Sequence, residues 1–391
     1  MARNRVIYQS EALYISQAIL STGMTQHVQL DRVQSANYSF TVNRQDINQF
    51  GELSRIGYVA LEPPTVNLDF TYYLTDGSNE RAMNFYVKSG TSTDKTFLSG
   101  HMVSTYSGQN FYILTSTEGN DVNTSTGDGT LASLGAYVKS AIGIGNAYIT
   151  NYSLDASVGN LPTVSVSFEG ANMNAATGIA YNTGISITGW SGISLASVDP
   201  AKGTANSGSG VVWLPTGKSS LGGSGIIALR PGDITLNLDS FDDNGSGVFA
   251  RLSGTDGIHI QSAALAIPLA RTPIQRLGTR FAYSRPLDLP ASATLSVSAI
   301  VNEMTAENLA SALDVQYEKD ITLTINVPGS NPAVASVVYT LRKCRLDSES
   351  FSSSIGGNKT VDLVFSTQYA SLNDTGRGVF FSGVGNGGLF A

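Results

Sequence analysis

Two stretches of the chain alternate apolar and small polar residues in the same phase. In the first, Ala36, Tyr38, Phe40 and Val42 point one way, and Ser35, Asn37, Ser39 and Thr41 the other. A period of two predicts a strand with one buried face. Val66, Leu68, Phe70, Tyr72 and Leu74 oppose Asn67, Asp69, Thr71 and Tyr73 in the same manner. A gapless shift that carries Gln34 onto Gln261 brings up the echo. Ala263, Leu265, Ile267 and Leu269 oppose Ser262, Ala264, Ala266 and Pro268; Ala293, Leu295, Val297, Ala299 and Val301 oppose Ser292, Thr294, Ser296 and Ser298. A one-residue slip would exchange the faces, so parity shared over two segments is hard to obtain by chance.

Identity beneath the pattern is thin. Gln34, Ser35, Ala36, Arg44, Ile47, Gly51, Pro63 and Glu80 recur as Gln261, Ser262, Ala263, Arg271, Ile274, Gly278, Pro290 and Glu307. Between the two strands lies a connection of about 20 residues, 43–64, too long for a simple turn. It carries Ile47, Phe50, Leu53, Ile56, Tyr58 and Leu61, too many apolar groups for plain disorder, and reads as an extended flap that packs on another surface. After the second strand, Asp76-Gly77 marks a turn. Ser78–Val87 then reads as a short helix with Ala82, Met83 and Tyr86 on one face, echoed by Leu309, Ala310 and Leu313 behind Thr305.

Later segments recur with other spacings. Ala141–Asp155 matches Ala333–Asp347, both ending Leu-Asp; Thr163–Phe168 matches Thr360–Phe365; Thr177-Gly178 matches Thr375-Gly376. Matched segments in the same order predict an internal duplication. Residues 1–180 form one unit and 226–391 another, with 181–225 a Gly/Ser/Thr-rich connector holding Trp190 and Trp213. The first unit is longer, with polar loops expected at 88–110 and 118–130. Val6–Tyr8 and Leu13–Ile15 read as strands ahead of a turn at Ser21-Thr22-Gly23.

Composition agrees with a mainly β chain. There are 41 glycines among 391 residues and only 14% charged residues, which suits strands and tight turns better than long helices. The net charge of −7 advertises no basic surface for nucleic acid. One cysteine, Cys344, excludes an internal disulfide framework and a cysteine metal cluster. No continuous apolar run near the N-terminus suggests a leader or a membrane span, so assembly in a cytosol is expected.

The search for chemistry yields little. His27, His101 and His259 stand in no H-x-x-x-H pair, so a metal is not expected and packing or surface roles are. Asp242–Gly247 resembles a calcium loop but has Ser240 at its start and Arg251 at its end; a turn is the better reading. The Gly-rich runs at 143–145 and 383–387 precede no G-K-[ST], and no G-x-S-x-G elbow occurs. No catalytic pair is selected and no cofactor is implied. Cys344 reads as a small packed side chain. Arg44 and Arg271, just past the first strand of each copy, read as solvated charges at a strand end, or as ion-pair partners for a neighbouring subunit's carboxylate.

A duplicated antiparallel unit leaves strand edges that invite further pairing, and closure in a barrel or ring removes them. A ring lined by Ser, Thr and Asn, with few Lys or Arg, would let a polyanion pass, since tight DNA binding needs cations on phosphates. Strand, long apolar flap, strand, short helix and further strands resembles the tail tube proteins of long-tailed bacteriophages, in the variety where one chain holds two tube domains. The resemblance covers nearly the whole chain except 181–225. It implies two tandem β-sandwich, barrel-forming domains, each with a short helix and a long β-hairpin flap.

It further implies a virion protein with no enzymatic activity, whose trimers make pseudo-hexameric rings stacked into a tube. With four strands from each of six domains, 24 strands at about 4.8 Å span a circumference of about 115 Å. The bore is then about 27 Å after side chains, wider than a duplex of about 20 Å. Ser35, Asn37, Ser39, Thr41, Asn67, Asp69 and Thr71, with Ser262, Ala264, Ala266, Thr294 and Ser296, would line that lumen. Arg44, Ile47, Phe50, Ile56 and Tyr58, with Arg271, Ile274, Leu277, Phe281 and Tyr283, would meet the next ring. Partners would be further copies of the chain, tape-measure, tail-terminator and baseplate proteins, and passing DNA without specific binding. The alternatives are a baseplate hub or tail-adaptor ring of the same fold, or a β-sandwich adhesin using Trp190 and Trp213 on sugars.

Overall fold

The computed structural model describes residues 11–17, 28–88, 94–103, 106, 108–116, 138–177, 180–181, 185–187, 212–214, 228–238, 258–278, 281–282, 284–301, 318–329, 335–352, 358–369 and 371–383. The strands are β1 (Glu11–Gln17), β2 (Val28–Gln29), β3 (Val33–Thr41), β4 (Arg44–Ile47), β5 (Gly57–Ala60), β6 (Thr65–Tyr73), β7 (Gln109–Ser116), β8 (Val138–Ser157), β9 (Thr163–Gly170) and β10 (Asn172–Thr177). They continue with β11 (Ala180–Tyr181), β12 (Ile185–Ile187), β13 (Val212–Leu214), β14 (Ile234–Leu238), β15 (Ile258–Pro268), β16 (Ser292–Val301), β17 (Lys319–Asn326), β18 (Ala335–Ser352), β19 (Thr360–Gln368) and β20 (Gly378–Gly383). Two short helices, α1 (Ser78–Ala82) and α2 (Ser99–Met102), lie between β6 and β7. The chain is mainly β, built around one large antiparallel sheet system.

A set of strands recurs in the same order with the same partners. The pairings β3·β6, β6·β9 and β9·β8 of the first set correspond to β15·β16, β16·β19 and β19·β18 of the second. Register recurs as well. Ser35 faces Thr71 and Ser262 faces Ser298, positions that the sequence shift makes equivalent, and each first strand bulges just before that pair. The second set's β19 follows at a shorter spacing: Thr71 faces Ser165, and Ser298 faces Asp362.

The offset that carries Ser165 onto Asp362 also carries β8 onto β18. Their bulges fall between Ile149 and Asn151 and between Leu346 and Ser348. Leu154 is opposite Val164, and Phe351 opposite Val361. The structural counterpart of Leu154 is therefore Phe351, not the Leu346 expected from the shared Leu-Asp. Thr177 closes β10 whereas Thr375 precedes β20, so that pair is not equivalent either.

β8 and β18 each run through two layers. The first part of β8 pairs with β7 and β10, and its last part with β9 and β15. β18 pairs first with β17 and β20, then with β19. The bends are built alike. Asn146 and Lys343, equivalent under the same offset, both take positive φ, 51° and 56°, a conformation uncommon outside glycine. The N–H of Asn146 donates to Asn110 Oδ1 at 3.0 Å, and that of Lys343 to Asp320 Oδ1 at 3.0 Å. Those side chains sit on β7 and β17, which hold equivalent places.

Apolar positions of both layers form one buried cluster, with Phe70, Phe111 and Phe168 stacked between them. The helix expected over Ser78–Val87 stops at Ala82, because Asn84 swings to φ 69° and turns the chain. Phe97, Leu98 and His101, expected in a polar loop, are buried in the core, while Lys95 and Val103 beside them are exposed. His101 packs on Phe85 and Tyr106 at 4.7 and 4.9 Å, and burial holds its pKa well below the ordinary value. Cys344 is buried on β18, with its thiol pushed up to about 12 by desolvation. Val6–Tyr8, residues 21–23, 118–130, 242–247 and 305–313, His27, Trp190 and Tyr283 lie outside the described residues. Of 181–225, the described part is two strands of a small sheet, β12 and β13, and the last residue of β11; Trp213 lies on β13.

Candidate functional site

The inner sheet runs β3-β6-β9-β8-β15-β16-β19-β18, eight strands across both sets. Its two faces differ because each strand alternates. One row of direct cross-strand neighbours reads Val33, Tyr72, Val164, Leu154, Leu265, Leu295, Phe365 and Leu346. The row on the opposite face reads Ser35, Thr71, Ser165, Ser153, Ala266, Thr294, Ser366 and Arg345. The polar face thus crosses the joint between the two sets without a break. Ser35 and Thr71 hydroxyls share a hydrogen bond of 2.7 Å.

All twelve residues expected to line a lumen fall on this second face. Asn37, Ser39, Thr41, Asn67, Asp69, Ala264 and Ser296 are exposed; Ser35, Thr71, Ser262, Ala266 and Thr294 are partly covered by their neighbours. Its exposed charges include Asp69, Asp155 and Asp362, with Arg345 at the far rim. The face is hydroxyl-rich and mildly acidic, which offers phosphates little to bind.

The apolar side of β3 departs from expectation. Tyr38 and Phe40 should be buried by alternation, yet they are 40% and 60% exposed. β3 pairs with β6 alone among the described residues, so no described strand pairs with its outer flank.

The flaps differ from each other. In the first, β4 and β5 pair as a hairpin, closed by an Arg55–Asp46 ion pair at 2.9 Å, with the Arg44 and Arg55 guanidiniums 5.0 and 5.5 Å from the Tyr58 ring. Ile47, Ile56 and Tyr58 are exposed, and Phe50 and Leu53 are wholly so. In the second, single bridges join Arg271 to Leu287 and Ile274 to Ser284. Ile274 and Leu277 remain exposed and Phe281 is half-buried.

Arg271 is not a solvated charge at a strand end. Its guanidinium lies 5.4 and 5.1 Å from the rings of Tyr106 and Tyr148, and it donates to Arg285 O at 2.9 Å. Burial lowers its pKa. Arg285 pairs with Glu169 of β9 at 3.2 Å. The second flap is therefore tied to the first set of strands within one chain. Sequence reading missed Tyr106 and Tyr148 because neither lies near Arg271 along the chain.

Among the described residues one charged cluster is fully enclosed. Glu80 accepts from Tyr72 Oη at 2.6 Å and Tyr152 Oη at 3.2 Å, and Tyr152 shares a 2.7 Å bond with Tyr339 of β18. Burial pushes the Glu80 carboxyl up to about 7, against the pull of its tyrosine donors. This cluster fastens α1 to both sets of strands, and all four of its residues are buried. No group of metal-ligating side chains occurs among the described residues, and no described helix is long and apolar enough to cross a membrane.

No protein-family model matches the chain, and no curated protein matches its sequence. Among solved structures it is similar to a chain from the virion of a native gene transfer agent (GTA) particle. That likeness has 11% identity, covers 36% of this chain and 93% of the other, and has a TM-score of 0.18. A likeness of that size carries no argument.

Proposed function

We propose that this chain is a structural virion protein that assembles with copies of itself into stacked rings, forming a phage tail tube through which DNA passes. The observation that carries the reading is the unbroken polar face of the eight-stranded sheet. One panel of four strands is laid down twice in the same register. Its apolar side is buried by a second layer, and its small polar side is left open across both panels. Antiparallel sheets commonly keep one face solvated, and a wall around a water-filled channel needs such a face to run unbroken across successive panels. The mild acidity of that face suits passage of a polyanion without capture. Tandem panels arise from an internal duplication, and three chains would supply six of them. The exposed first flap supplies the apolar contact to the next ring.

Negative-stain electron microscopy of the purified protein tests this. Rings with a central channel, stacked into tubes at high concentration, are expected. Closed rings that never lengthen would move the assignment to an adaptor or baseplate hub, and a chain that stays monomeric when concentrated would overturn it.

A further inference from the structure

The joint between the two sets inside one chain is a template for the joint between chains. β8 meets β15 antiparallel, with Asp155 opposite Ala264, Leu154 opposite Leu265, Ser153 opposite Ala266, Tyr152 opposite Ile267 and Asn151 opposite Pro268. The outer strands of the eight are β3 and the last part of β18, and they are the structural counterparts of β15 and β8. Among the described residues, β3 pairs with β6 alone and residues 345–352 with β19 alone. All seven internal pairings are antiparallel and the number of strands is even, so β3 and β18 run in opposite directions. Joining one chain's β18 to another's β3 therefore continues the same antiparallel order with the same face polar.

Resting on the ring reading above, we infer that β18 of one copy pairs with β3 of the next in the register of the internal joint, Tyr38 opposite Phe351. Replacing each β15 position by its counterpart on β3, and each β8 position by its counterpart on β18, gives the remaining partners. Asn37 faces Ser352, Ser39 faces Ser350, Phe40 faces Glu349 and Thr41 faces Ser348. Parity supports this alignment. Asn37, Ser39, Ser350 and Ser352 all belong to the open polar face, and Tyr38 and Phe351 to the buried one.

Exposure supports it independently. Leu154 and Leu265, at the internal joint, are each 1% exposed, whereas their counterparts Phe351 and Tyr38 are 44% and 40% exposed. Two large apolar side chains are thus left open on opposite rims, at the positions the template brings together. Slipping by one residue would set Tyr38 against a serine of the polar face. An open apolar edge of this kind is itself a template for strand addition. A cavity of about 330 Å³ lies beside the start of β3, lined by Arg32, Gln34, Ser35 and Ala36 among others. At the matching place in the internal joint, Gln261 O accepts from the N–H of Val158 at 2.9 Å.

The test is cysteine crosslinking of the full chain under mild oxidation, read on a non-reducing gel beside electron micrographs of the same sample. The double variant Asn37→Cys/Ser352→Cys is expected to give a ladder of linked chains. Either single variant is expected to give none, and neither is the wild-type chain, whose Cys344 is buried. The diagonal variant Asn37→Cys/Ser350→Cys is expected to crosslink at least tenfold less, since diagonal neighbours sit about 7–8 Å apart, beyond disulfide reach. Rings in the micrographs without the in-register ladder, or with a stronger diagonal ladder, would overturn this joint and leave the tube reading standing. Single chains in every micrograph and no ladder would overturn both.

Discussion

Arg44 and Arg271 occupy matching places in the two copies, and their surroundings are opposite. Arg271 packs on the rings of Tyr148 of β8 and of Tyr106, which lies between α2 and β7, and is held by a backbone carbonyl. Arg44 is exposed and touches only its own hairpin among the described residues. Tyr38 and Leu265 repeat the contrast one strand earlier, at 40% and 1% exposure. Each of these features of the second set finds its partner in the first. The same features of the first set stay exposed, Arg44 meeting only Tyr58 of its own hairpin among the described residues. That asymmetry is what the proposed joint between copies would remove.

The contrast predicts unequal costs at equivalent positions, measured by urea unfolding of the unassembled chain. Glu80 gives the largest expected effect, on the internal side. Its carboxyl is raised to about 7 when folded, against 4.5 as a free group. The unfolded chain gives up the proton first, so the contribution of Glu80 to stability is full below pH 4.5 and is lost as pH rises toward 7, by about 3 kcal/mol. Glu80→Gln keeps an acceptor for Tyr72 and should flatten that slope, leaving the variant more stable than wild type above neutral pH. An unchanged slope would place the titration elsewhere.

Leu265→Ala removes a buried side chain from the internal joint and should cost about 3 kcal/mol. Tyr38→Ala, at the matching place on the open rim, should cost less than about 1 kcal/mol. Equal losses would erase the distinction.

Smaller effects separate the flaps. Arg271→Ala should cost about 2 kcal/mol through its lost aromatic and carbonyl contacts, while Arg44→Ala should fall within about 0.5 kcal/mol. Phe50→Ser with Leu53→Ser should leave the midpoint of unfolding unchanged yet shorten any tubes seen in micrographs. Tubes of normal length would remove the first flap from ring stacking.

The alternating strands were legible in the sequence because a half-buried strand writes its faces directly into residue order. Ser35 and Ser262, with their bulges, fell where the gapless shift put them. The misplaced partner of Leu154 has a physical source. Both strands carry a Leu-Asp, but out of structural register, and the position equivalent to Leu154 holds the unlike Phe351, so residue identity drew the match aside. The bends at Asn146 and Lys343 were invisible, since unlike residues adopt one backbone shape and unlike side chains, Asn110 and Asp320, cap it. Alternation also predicted that Tyr38 and Phe40 face inward, but it cannot say whether a strand has a neighbour on its outer flank. Tyr106 and Tyr148 were out of reach for the same reason: a contact made by folding leaves no mark in local order.

The bent strands β8 and β18 carry a mechanical consequence. Each of these continuous strands contributes to the inner and outer layers at once, so tension applied at a rim passes along covalent backbone from one layer to the other. Pulling the layers apart means shearing many backbone hydrogen bonds together, a far stiffer response than peeling one pair at a time. Two layers joined this way resist separation without any crosslink.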